Sequence, residues 1–187
     1  MKKTFLLIFV FGFLFQLTNA QRYLPGQRGI QLTAGTVNGT NPQRAFYGGI
    51  AISTYTQNDS RWVFGAQFQQ KQLDYKQVQI PVVQFTGEGG YYYSFLSDPS
   101  KTLLLSIGAS GLAGYETFNW GDKLLFDGAT LSDQDTFVYG GALTLELETF
   151  ITDRIIFLFN ARERVLWGST VGQFSTHLGT GIKFIFN

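Results

Sequence analysis

The stretch DTFVYGGALTLELETFITDRIIFLFNARERVLW, Asp135 to Trp167, decides the fold. From Phe137, alternate positions hold Phe137, Tyr139, Leu143, Leu145 and Leu147, with Gly141 the one small residue in the series. The positions between them hold Val138, Gly140, Ala142, Thr144, Glu146 and Glu148. Period-two alternation predicts a strand with one greasy face and one polar or small face. Ile151, Thr152 and Asp153 predict a short turn. After it Ile155, Phe157, Phe159, Ala161 and Val165 alternate with Asn160, Arg162 and Arg164. A strand tilted across the hydrocarbon core of a bilayer needs roughly 9–11 residues, and both of these runs reach that length, which a soluble sheet rarely needs. The hairpin is therefore read inside-out. Its aromatic and aliphatic face meets lipid, and Glu146, Glu148, Arg162 and Arg164 point into the interior of a closed barrel.

Targeting and composition agree with that reading. Met1-Lys2-Lys3 precedes an apolar run from Phe5 to Phe15, and Thr18 and Ala20 supply the small residues of a cleavage site. This predicts a secretory signal peptide over residues 1–20 and a mature barrel over 21–187. The apolar run is shorter than the roughly 20 residues of a spanning helix. Losing Lys2 and Lys3 turns a formal charge of +1 into −1, so no basic surface for nucleic acid is expected. The chain has no cysteine, hence no disulfides. Aromatic residues make up 17% and glycines number 22, well above the glycine usage of about 7% in ordinary domains.

In chain order, residues 21–28 form a polar leader with Pro25 and Gly26. Strands are expected at about 29–36, 45–56, 61–73, 80–95, 102–115, the two of the opening hairpin, and 174–186. In the third, Trp62, Phe64, Ala66 and Phe68 face outward and Gln67, Gln69 and Lys71 inward. In the fourth, Val83, Phe85, Tyr91, Tyr93 and Phe95 alternate with Gln84, Thr86, Glu88 and Tyr92. In the last, Leu178, Ile182, Phe184 and Phe186 alternate with His177, Gly179, Gly181 and Lys183. Connections after the second, fourth and sixth strands are tight. Those after the first, third (Asp74 to Gln79), fifth and seventh are as long or longer. Tight turns on the periplasmic side and longer loops outside are the pattern of a bacterial outer-membrane barrel. The fold class is thus all-β: an eight-stranded antiparallel transmembrane β-barrel.

Eight strands enclose a space that side chains can just fill. Parity places Lys71, Glu88, Glu146, Glu148, Arg162, Arg164 and Lys183 inside. Unpaired buried charge costs several kcal/mol, so these are expected to form an ion-paired, hydrogen-bonded filling with no open channel. Glycines 108, 114, 140, 179 and 181 would make room for it. Parity also puts Glu163 outward, and it is expected at the headgroup level beside Trp167.

Chemistry is sparse. His177 is the one histidine, and Ser175 two residues away could form part of a lipid-modifying site, but no third orienting group is identifiable. No Cys/His/Asp cluster has metal spacing, and no cofactor or small-molecule substrate is indicated. Gly87-Glu88-Gly89-Gly90 precedes no helix and is not a phosphate loop. Asn38-Gly39-Thr40 and Asn58-Asp59-Ser60 fit the glycosylation pattern by chance. Tyr91, Tyr92, Tyr93, Trp62, Trp120 and Trp167 read as an interfacial girdle. The segment from Glu116 to Gln134 is the candidate contact loop, mixing Phe118, Trp120 and Phe126 with Asp122 and Asp127. Structureless loops of that length in compact folds tend to be functional.

Several runs carry a resemblance. Trp62-Val63-Phe64-Gly65, the segment Ile80 to Tyr93 (IPVVQFTGEGGYYY), Leu112 to Gly121 (LAGYETFNWG), Arg162 to Gly168 (RERVLWG) and the closing GIKFIFN of Gly181 to Asn187 resemble the conjugal transfer protein TraO family. The likeness spans nearly the whole mature chain in order, except the loop of residues 37–44. It implies a non-enzymatic component of a conjugative DNA-transfer apparatus, encoded in a conjugative transposon and embedded in the outer membrane of a Gram-negative bacterium. Its expected partners are outer-membrane lipid and other conjugal transfer proteins, with no direct nucleic-acid binding. The family has no established active site, so no catalytic residue carries over. The competing expectation is a small barrel that binds or modifies lipid or a hydrophobic solute.

Overall fold

The computed structural model describes residues 23–39, 41–75, 78–121, 135–170 and 172–186. The expected signal peptide, and Asp122, Phe126 and Asp127 of the expected contact loop, lie outside the described residues. Eight strands follow one another: β1 (Arg28–Val37), β2 (Ala45–Tyr55), β3 (Arg61–Tyr75), β4 (Val78–Ser97), β5 (Leu103–Phe118), β6 (Thr136–Phe150), β7 (Ile155–Trp167) and β8 (Phe174–Phe186). Each pairs antiparallel with the next, and β8 closes on β1 from Arg28↔Phe186 to Val37↔His177. No edge is left unpaired, which is the condition for strands to stand in lipid.

The register sets the tilt. The cross-strand row that starts at Ile30 passes through Ile52, Phe64, Gly89, Gly111, Gly141 and Val165 to Phe174. Ile30 itself faces Phe184 across the closing seam, ten residues further along β8. A stagger of that size tilts every strand steeply to the barrel axis.

Alternation governs the wall. Phe137, Tyr139, Leu143 and Leu145 are exposed on β6, whereas Val138, Ala142, Thr144, Glu146 and Glu148 are buried. Phe64, Phe85, Ile107, Phe159, Leu178 and Phe184 continue the outer apolar surface around the barrel. The turns after β2, β4 and β6 and the start of β1 share the lower rim. Just inside that rim Tyr55, Leu104, Phe150, Ile156, Leu158 and Ile185 form an apolar base.

Several boundaries and faces differ from the sequence reading. β3 and β4 continue through Asp74 and Gln79, which pair directly, to Tyr75 and Val78, so the described residues of the loop expected there are strand. The β-forming side chains of Val82, Val83 and Leu73 keep the ladder going beyond the barrel mouth. Val83, assigned outward, is buried at this height, where the single helical turn Asn119–Gly121 packs against β4. Tyr92 is no part of a girdle; its ring is buried in the interior. Glu163 does face outward, but its cross-strand neighbours are Leu143 and Thr176, while Trp167 pairs with Tyr139 a full step higher. Four residues of tilted strand separate it from Trp167, roughly 10 Å of depth, so it sits within the apolar band and not beside the tryptophan.

Candidate functional site

The interior polar network is built from side chains that alternation forces inward. Near the lower rim, Arg61 on β3 and Lys183 on β8 meet Glu146 and Glu148 on β6. Arg61 Nη2 lies 2.5 Å from Glu146 Oε1 and Nη1 lies 3.5 Å from Glu148 Oε2. Lys183 Nζ lies 3.5 Å from Glu146 Oε1 and also pairs with Glu148. Each base thus bridges both acids, and all four side chains are buried. The guanidinium also sits 5.0 Å from the Tyr92 ring centroid. Such a closed ring of alternating charge compensates desolvation that a single buried ion could not.

The leader closes this site from below. Tyr23 stacks on Tyr55 with centroids 3.6 Å apart and donates its hydroxyl to Glu148 Oε2 at 3.1 Å. Gly26 N donates to Tyr55 O, and Tyr55 N donates to Gln27 O. Burial, and next the Glu148 carboxylate, push the Tyr23 phenol well above its ordinary value of 10. Nothing in the alternation signalled this residue, because the leader has none.

One layer higher, Arg162 donates to Glu88 Oε2 at 2.8 Å, Tyr92 Oη at 2.8 Å, Gln67 Oε1 at 3.3 Å and Thr144 Oγ1 at 2.9 Å. A void of about 20 Å³ lies among Gln67, Glu88, Tyr47, Asn160 and Arg162, room for about one water. Gly108 and Gly179 serve this filling. A Cβ at Gly108 would meet the Tyr92 ring at 2.7 Å, and one at Gly179 would meet the Tyr47 hydroxyl at 2.0 Å. Gly114 and Gly140 act differently from expectation: a side chain there would strike the neighbouring strand's backbone, the Phe85 and Val165 carbonyls.

Above this, Arg164 is buried and donates to Gln69 Oε1 at 2.9 Å and Thr86 Oγ1 at 3.3 Å, with no carboxylate partner among the described residues. His177 is sealed beside it, bonded through Nδ1 to Gln67 at 3.0 Å and stacked on Tyr47. It reaches neither solvent nor the outer wall, and no hydrogen bond joins it to Ser175. Lys71 points to the same side but is half-exposed where β3 rises past the mouth, and it forms no ion pair with another described residue.

Glu116 and Phe118 do not belong to a loop. Both end β5 and are buried. Glu116 receives hydrogen bonds from Gln84 Nε2 at 2.5 Å, Ser169 Oγ at 2.7 Å, and Thr170 N and Oγ1 at 3.0 and 2.6 Å. It ties the β7–β8 connection to the upper rim. Arg61, Glu116 and Tyr23 are therefore interior partners absent from the sequence-derived set. Carrying the parity of β3 back from Gln67 to its first residue, and that of β5 one step forward from Gly114, reaches the first two.

The described part of the contact segment begins at Asn119. Asn119 and Trp120 both adopt left-handed backbone, φ 46° and 55°, a conformation uncommon for tryptophan. Trp120 stands exposed above the rim. Below it, Phe137, Tyr139 and Trp167 form a stacked aromatic ladder on the outer wall, with centroids 6.4 and 6.0 Å apart. No group of His, Asp and Glu among the described residues could hold a metal ion.

Comparison with known proteins supplies the context. The family model described as conjugative transposon protein TraO matches residues 24–186. No curated protein matches the chain. Among solved structures, the neisserial surface protein NspA is similar at a TM-score of 0.58 and 14% identity, covering 85% of this chain and 97% of its own. The N-terminal β-barrel domain of Pseudomonas aeruginosa OprF is similar at 0.52 and 11% identity, covering 86% and 98%. The attachment invasion locus protein Ail of Yersinia pestis is similar at 0.51 and 11% identity, covering 86% and 100%. At these identities the likeness is one of fold.

Proposed function

Because the chain belongs to the TraO family of conjugative transposon proteins, we propose that it is a non-enzymatic outer-membrane component of the conjugative transfer apparatus, with a structural or anchoring role. The observation that carries this reading is the family match across the whole barrel. Three features support the location: the apolar outer wall, the closed ladder, and an amino-terminal sequence that reads as an export signal. The charged interior supports a structural role, since paired and packed side chains fill the volume in which a substrate or a DNA strand would have to sit. The barrel acts as a rigid post. It holds the lower turns and leader toward the periplasm and the upper segments, Trp120 among them, toward the outside, where other transfer proteins or a recipient surface meet it.

The lipid-modifying alternative draws nothing from the geometry. His177 is enclosed and bonded to Gln67, out of reach of any lipid headgroup. The deciding test is transfer frequency from a donor with an in-frame deletion of this gene. A fall of at least tenfold, restored by complementation, is expected. Undiminished transfer would overturn the proposal.

A further inference from the structure

Glu163 is the one carboxylate on the outer wall between the two rims among the described residues. It lies roughly 10 Å below the Trp167 level and about 20 Å above Ile155 at the foot of the same strand, in the upper half of the apolar band. Its Oε2 accepts a hydrogen bond from Thr176 Oγ1 at 2.6 Å. Its other neighbour across the strands is Leu143, which is 61% exposed. Acyl chains offer no donor, so in bare lipid the carboxylate keeps only the threonine. Ionisable groups at such depth are costly and mark functional contacts.

The surface around it is shaped. Directly beneath Glu163 an apolar groove of about 570 Å³ opens outward, floored by Ala161 and walled by Leu145, Phe159 and Leu178. Two strands away, on β5 in the cross-strand row of Val165, a Cβ added at Gly111 would meet nothing within 4 Å. The barrel itself does not require glycine there. Small residues on a membrane-facing wall let another backbone approach closely, and polar groups then act as the adhesive.

We propose that this face, the groove with Glu163 at its head, docks a membrane-spanning segment of a different protein, one that presents a lysine or arginine at outer-leaflet depth. Charge complementarity selects that occupant. Among the described residues the outer wall between the rims carries no lysine or arginine, so a second copy of this chain has no base to offer Glu163. The proposal rests on the reading that the protein works within a multi-protein transfer apparatus.

The test places a photo-crosslinking amino acid at Ala161 in donor cells carrying the whole transfer region. Folding is checked by heat-modifiable migration. The expected result is an adduct with one transfer protein that has a membrane-spanning segment bearing Lys or Arg. The adduct should fall at least tenfold in Glu163→Leu and Glu163→Lys, fall less in Glu163→Gln, and return in Glu163→Lys when the partner's base is exchanged for Glu. Adducts with lipid alone, with a second copy, or with a protein irrespective of residue 163 would each overturn the proposal. If the gene deletion abolishes transfer while no Glu163-dependent adduct forms, the docking face is wrong and the transfer role stands.

Discussion

Arg61 illustrates what one buried side chain can decide. It faces Glu146 and Glu148 at once, so Arg61→Met strands excess negative charge beside Lys183. Removing one partner of a buried pair costs about 3–5 kcal/mol, and urea unfolding of the purified barrel should show a loss of that order. The double variant Arg61→Met, Glu146→Leu should recover part of it. Tyr23 gives a smaller and pH-dependent effect. Tyr23→Phe keeps the stack on Tyr55 but drops a hydrogen bond to a carboxylate, about 1.5–3 kcal/mol. The folded-state phenol titrates well above 10. Its contribution is therefore complete below pH 10 and declines as pH rises beyond it, because only the unfolded chain then ionises. The stability difference between wild type and Tyr23→Phe should be flat up to pH 10 and shrink above it. Glu146, Glu148, Arg162 and Lys183 were legible because each sits inside a long alternating run. Arg61 and Glu116 lie at strand ends, where the pattern has only one side, and Tyr23 lies where there is no pattern.

Strand lengths show where sequence reading loses its grip. Alternation located all eight strands, yet β3 and β4 extend into the expected loop, since polar Asp74 and Gln79 look like turn residues but pair across the hairpin. The β5–β6 connection is the element on which an exposed role depends. Replacing residues 119–135 by a short linker should leave heat-modifiable migration intact and lower transfer at least tenfold; normal transfer would dismiss the contact role. The β7–β8 connection depends on Glu116. Glu116→Ala removes four hydrogen bonds at once and should make residues 168–173 open to protease while the strands stay resistant. That connection reads as plain loop chemistry in sequence, because the acceptor that holds it lies some fifty residues away.

The molecule as a whole is a filled cylinder, and its electrical behaviour follows. Planar bilayers holding the purified protein should show no conductance above background, whereas a steady open channel would contradict the packed interior. The lower ion cluster has one more consequence. Its members come from β3, β6 and β8, and Tyr23 joins them from the leader. All of them meet only when β3, β6 and β8 have curled toward one another. Until then all four charges stay hydrated and repay nothing, so the growing sheet has little reason to hold its curl. Closure, dehydration of the lumen and capture of the leader support one another. The cluster thus works as a latch that favours the closed barrel over an open sheet.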